Sequence, residues 1–149
     1  MRTLGIDYGT VRIGIAVSDE LGMIATGRET LHVRSVADAV AGVAAAVSER
    51  EAGRVVVGLP LNMDGSRGPM VEAVERFVTK LAAVIDVPIE TWDERLSSQE
   101  AERVLIEADV SRMKRKRVID KMAAQSILQN WLDAHSDPIE FPEFDDYPG

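Results

Sequence analysis

Residues 3–18 read TLGIDYGTVRIGIAVS, and this stretch decides the fold. Residues 3–7 (TLGID) and 12–18 (RIGIAVS) alternate with the period of strands, and Tyr8-Gly9-Thr10 turns between them. A third strand is predicted over about 24–33, where IATGRETLHV follows a Leu21-Gly22 turn. Three consecutive strands joined by short turns predict an antiparallel meander.

The period then changes. Ser35 suits the N-cap of a helix over about 36–51, with Gly53 just past its end. RVVVG at 54–58 is a short apolar run of the buried-strand kind. A polar loop, LPLNMDGSRG at 59–68, leads to Pro69, which suits the first position of a helix over about 69–84. PIETW at 88–92 is a further strand. Ser97 and Glu100 form a capping box for a helix to about Ala108. A last helix runs from about Lys114 to Ala134, where Ile119, Met122, Ala123, Ile127 and Trp131 form an apolar stripe that would dock it on a sheet. The order β-β-β-α-β-α-β-α-α predicts an α/β fold. Its mixed five-stranded sheet has three antiparallel strands followed by parallel ones, with helices on both faces through right-handed crossovers.

The composition is that of one globular domain. The 149 residues are 46% hydrophobic and 28% charged, enough to bury a core without disulfides. There is no cysteine, which excludes thiolate chemistry and a cysteine-based zinc site and fits a reducing, cytoplasmic setting. MRTLGID has no long apolar run, so neither a signal peptide nor a membrane span is expected.

The net charge of −8 argues against nucleic acid until its distribution is considered. Residues 136–149 carry five acids and no Lys or Arg, and three prolines besides; they are expected to be an acidic tail without fixed structure, outside a domain of residues 1–135. Residues 111–121 carry six basic groups and one acid, Asp120. Patches, not totals, bind phosphates. The same cluster also fits a solvated helix face.

Three carboxylates stand where chemistry is expected. Asp7 ends the first strand and shares a strand face with Thr3 and Gly5, with Gly14 and Ala16 as small partners opposite. Asp93, Glu94 and Arg95 follow the strand 88–92, at its carboxyl end, where open α/β sheets bind ligands. Asp120 lies on the last helix among Lys116, Arg117, Ala123 and Ala124. Singly, each has a plain alternative: a turn aspartate, acids favouring a helix N-terminus, and a surface partner for Lys116. Together they suit a hard cation, Mg²⁺ or Mn²⁺, and a pair of such ions hydrolyses phosphodiesters. Lys114, Arg115, Lys116 and Arg117 would then grip the substrate backbone. Asn62, Asp64, Ser66 and Arg67 could line the cleft, Tyr8 could stack on a base, Trp131 reads as core, and His32 and His135 take no role.

LGIDYGTVRIGIAVSD, VVGLPLNMDGSRGP, WDERLSSQEAE and SRMKRKRVIDKMAAQSILQNWLD together resemble the YqgF/RuvX family over roughly residues 3–134. The resemblance implies a ribonuclease H-like fold related to Holliday junction resolvases. It also implies a role in maturing the 5′ end of pre-16S ribosomal RNA, with Asp7, Glu94 and Asp120 as the acids of the site and Asp93 a fourth candidate. Four functions follow for comparison: a metal nuclease acting on structured RNA, as monomer or homodimer; a dimeric resolvase of branched DNA; an RNA-binding assembly factor without turnover; and a nucleotide-binding protein, suggested by DYGT. The last is disfavoured, because actin-like ATPases clamp nucleotide between two domains and this length supplies one.

Overall fold

The computed structural model of the chain describes residues 1–94 and 112–135, and for 112–120 the helical backbone alone. Strands β1 (Arg2–Tyr8), β2 (Arg12–Ser18) and β3 (Ala25–His32) are followed by helix α1 (Val36–Glu49), strand β4 (Ala52–Leu59), helix α2 (Pro69–Ala82), strand β5 (Ile89–Asp93) and helix α3 (Arg112–His135). The expected helix at 97–108 and the tail from 136 lie outside the described residues. The sheet order is β3-β2-β1-β4-β5. β1 pairs antiparallel with β2, and β2 with β3, whereas β1, β4 and β5 run parallel. This is the mixed sheet that the pattern predicts.

Alternation along each strand divides the core into two layers. One face of the sheet carries Leu4, Ile6, Tyr8, Ile13, Ile15, Val17, Val55 and Val57, which pack with Val40, Val43 and Val47 of α1 and Val74, Phe77 and Leu81 of α2. Tyr8 stacks on Phe77 with ring centroids 4.6 Å apart, so it belongs to this core and not to a base-stacking surface. Ser35 caps α1 as expected, its hydroxyl accepting from the Asp38 amide at 3.1 Å. Pro69 takes the first turn of α2 behind Gly68. The α1 terminus differs from expectation. Glu51, with φ +52, takes the left-handed position, because β4 has begun at Ala52 and Gly53 lies within it, under the side chain of Met1.

Among the described residues, the opposite face bears α3. Ala124, Ile127, Leu128, Trp131 and Leu132 pack on Ala16, Ala25 and Val56. The stripe therefore includes Ala124, Leu128 and Leu132 beyond the predicted set; Met122 is only half-buried, and Ile119 lies outside the residues whose side chains are described. The helix sits close to the sheet. A Cβ at Gly5 would stand 2.6 Å from Leu128 Cβ and 2.9 Å from the Ala124 carbonyl, and one at Gly27 would stand 2.8 Å from the Lys121 carbonyl. Two glutamines one turn apart secure the outer strand. Gln129 Oε1 accepts from the Ala25 amide and Gln125 Oε1 from the Gly27 amide, both at 2.8 Å. They satisfy main-chain groups that an edge strand otherwise exposes.

Gly5→Ala should lower stability by about 2 kcal/mol, the cost of overpacking a close approach. Urea denaturation reads it, and an unchanged midpoint would mean that α3 lifts off the sheet without penalty.

Candidate active site

Parallel strands leave their carboxyl ends at one edge of the sheet. Here β1, β4 and β5 end together. The register pairs Ile6 with Val57, Gly58 with Trp92 and Leu59 with Asp93. Asp7 follows Ile6 on the α3 side of β1, opposite Gly14 of β2, as the alternation predicts. Glu94 follows the end of β5.

The two carboxyl groups meet. Asp7 and Glu94 share a side-chain hydrogen bond, although they lie on strands separated by β4. Glu94 reaches its partner by lying over Gly58, where a Cβ would stand 2.6 Å from Oε1 and 2.7 Å from Cγ. Burial raises the Glu94 pKa above the usual glutamate range; the hydrogen bond with Asp7 pulls it down, and the charge of Asp93 pushes it up again. Net, burial dominates and the carboxyl holds its proton to higher pH than a free glutamate. Asp93 is thus an electrostatic neighbour of the pair.

The other predicted residues are distributed as follows. Asp120 lies on α3, one turn before Ala124. Its side chain, and those of Lys114, Arg115, Lys116 and Arg117 on the first turns of α3, lie outside the described residues, as does Arg95. The loop after β4 borders the same edge but is tied to itself. Asn62 Nδ2 donates to Ser66 Oγ at 2.9 Å, the Ser66 amide and hydroxyl donate to Asp64 Oδ1 at 2.9 and 2.6 Å, and Arg67 pairs with Glu75. Those polar groups shape the turn. Trp131 is core, its indole N–H donating to Glu90 at 2.8 Å, and His135 stacks on it. The residue missed by sequence reasoning is Gly58. Its signal was a glycine interrupting the apolar run RVVV before Leu59-Pro60.

Among the described residues, no group of three His, Cys, Asp or Glu side chains is placed to hold an ion. The donor set nevertheless suits a hard divalent cation: two oxygen-only side chains, close enough to share a proton and partly withdrawn from water. A cation would replace that proton.

The RuvX family model, described as Holliday junction resolvase, matches residues 1–134. A Myxococcus xanthus protein named "Putative pre-16S rRNA nuclease" is 53% identical over 147 residues, covering 99% of this chain and 97% of its own. A relative of the same name from Halalkalibacterium halodurans is 55% identical over 136 residues, covering 89% and 96%. Among solved structures, Thermus thermophilus RuvC in complex with a Holliday junction substrate matches with a TM-score of 0.56 at 18% identity, over 90% of this chain and 95% of that one. The fowlpox virus resolvase bound to Holliday junction DNA matches with a TM-score of 0.59 at 9% identity, over 92% and 100%. At those identities the structural likeness establishes the ribonuclease H-like fold.

Because the folded state raises the Glu94 pKa, it favours the protonated acid. That contribution is fully present below the unfolded glutamate pKa and is lost as pH rises through the folded one. Glu94→Gln, which stays neutral, should therefore be more stable than the parent in metal-free buffer at pH 7, with the gap closing as pH falls. Paired thermal melts across pH test this, and a gap that is constant with pH contradicts it.

Proposed function

The chain belongs to the RuvX family, and from that membership we propose that it processes the 5′ end of pre-16S ribosomal RNA in the cytoplasm with a divalent metal. It is a nuclease, a hydrolase of phosphodiester bonds. The observation that carries the metal reading is the Asp7–Glu94 pair: two acids far apart in the chain, brought into hydrogen-bond contact at the edge where parallel strands end.

In this reading Asp7, Glu94 and Asp120 hold Mg²⁺ or Mn²⁺, within a domain of residues 1–135. A bound divalent cation would supply Lewis-acid chemistry there, activating water and offsetting charge on the leaving oxygen. The chain's own residues do the rest. Asp7 is fixed by its place in the sheet, which keeps one ligand rigid. Glu94 must release its proton for the cation to bind, so metal affinity rises with pH. Lys114, Arg115, Lys116 and Arg117, with Arg95, bind substrate phosphates and offset the repulsion of an acidic chain. Asp93 adds negative charge that favours a cation beside Glu94.

A second reading keeps the site and changes the substrate to branched DNA cut by a homodimer. The family description and the resolvase folds favour it. It requires two sites related by a two-fold axis.

Asp7→Asn should reduce Mn²⁺-dependent cleavage to background while the melting curve stays cooperative; undiminished cleavage would refute the assignment. Precursor ribosomal RNA is expected to be cut in preference to a four-way DNA junction by a protein of monomer mass, and the reverse preference with dimer mass would favour the resolvase. Replacing Lys114 to Arg117 by alanine should weaken RNA binding and flatten its salt dependence by roughly 0.7 in slope for each phosphate no longer neutralised. RNA binding that needs these bases, with no turnover by the parent in either metal, would instead identify an assembly factor.

A further inference from the structure

Gly58 lies on the strand between the two acids. β4 separates β1 from β5, so the ends carrying Asp7 and Glu94 are two strand spacings apart, roughly 10 Å. Val56 faces α3, and so by alternation does position 58. To reach Asp7 the Glu94 side chain must cross β4 on that face, and it crosses at the one position without a side chain.

The glycines of this face differ in what a methyl would meet. At Gly5 and Gly27 the added carbon would strike carbonyls of α3, so those positions set the height of the helix. At Gly58 the three nearest atoms belong to side chains: Ile127 Cδ1 at 2.5 Å, Glu94 Oε1 at 2.6 Å and Glu94 Cγ at 2.7 Å. Ile127 can turn its terminal methyl aside. Glu94 cannot move without leaving Asp7. Backbone conformation does not demand glycine here either, since among the described residues the left-handed glycines are Gly22 and Gly65.

We propose that Gly58 is a positioning residue for the carboxylate pair: the missing side chain is the channel through which Glu94 reaches Asp7. Its consequence for catalysis rests on the metal-nuclease reading above, whereas its geometric content does not. The competing explanation is that Gly58 only makes room for Ile127 and thus for α3.

The test compares the full-length variant Gly58→Ala/Ile127→Val with Ile127→Val alone. Removing Cδ1 clears the clash with α3 and leaves the one with Glu94. In a metal-free crystal structure the double variant should have the Glu94 carboxyl out of hydrogen-bond reach of Asp7, with α3 undisplaced. Calorimetric Mn²⁺ affinity should fall about 10- to 100-fold relative to Ile127→Val, the usual effect of losing support for a ligand. At saturating Mn²⁺, kcat should fall while KM for RNA stays unchanged. An intact Asp7–Glu94 hydrogen bond beside the new methyl, or unchanged Mn²⁺ affinity in a protein that binds Mn²⁺, overturns the proposal. Failure of the parent to bind Mn²⁺ overturns the metal reading instead, and the crystallographic separation still decides the role of Gly58. Should the double variant melt too low to crystallise, Glu94→Ala should restore its stability. No restoration would mean that Glu94 was not the obstacle.

Discussion

The close approach of α3 to the sheet is the constraint on which the rest of the structure depends. Gly5 and Gly27 present no side chain to the helix, and Ala16 presents only a methyl, so Ala124 and Leu128 settle almost against the backbone of β1. That depth sets Lys121 against Gly27 of β3, Ala124 and Leu128 against Gly5 of β1, and Ile127 over Gly58 of β4. A bulkier face would raise the helix and widen the space between its residues and Asp7. The opposite face is built on another principle, with β-branched side chains of the sheet meeting those of α1 and α2. One layer supplies most of the buried apolar volume, while the other supplies proximity.

Proximity has an electrostatic cost. Asp7 and Glu94 in contact, with Asp93 nearby, need a proton or a cation among them to offset their mutual repulsion. The raised pKa of Glu94 comes first from burial of its carboxyl, with the charge of Asp93 adding to it and the hydrogen bond with Asp7 opposing it. In the proposed reading, a fold that keeps such a pair fixed near strand ends would be pre-organised for a cation, because the repulsion is overcome in folding before an ion arrives. In the proposed reading, the basic segment at 112–117 at the start of α3 addresses the other charged participant, the phosphate backbone.

The fold was largely legible in the sequence because period and punctuation agreed. Alternation in TLGID and RIGIAVS, the Ser35 cap and Pro69 each have a local cause, and each element begins within about two residues of its expected place. Asp7 and Glu94 were legible as strand-end acids. What was not legible depends on three dimensions. The role of Gly58 arises from a side chain just past the end of a neighbouring strand, and a glycine in RVVVG carries no local trace of it. Tyr8 looked like a surface aromatic beside the site until the pleat turned it toward Phe77. The α1 terminus was misplaced because glycine is the usual left-handed residue, yet Glu51 takes that position where β4 starts early.

The central claim is that the Asp7–Glu94 pair is a cation site awaiting its ion. Anomalous diffraction from crystals soaked in Mn²⁺ addresses it directly. The account predicts a strong peak bonded by oxygens of Asp7 and Glu94, with Asp120 completing the set and the hydrogen bond between the first two gone. A map with no peak there, and the two carboxyl groups still joined through a proton, would contradict it.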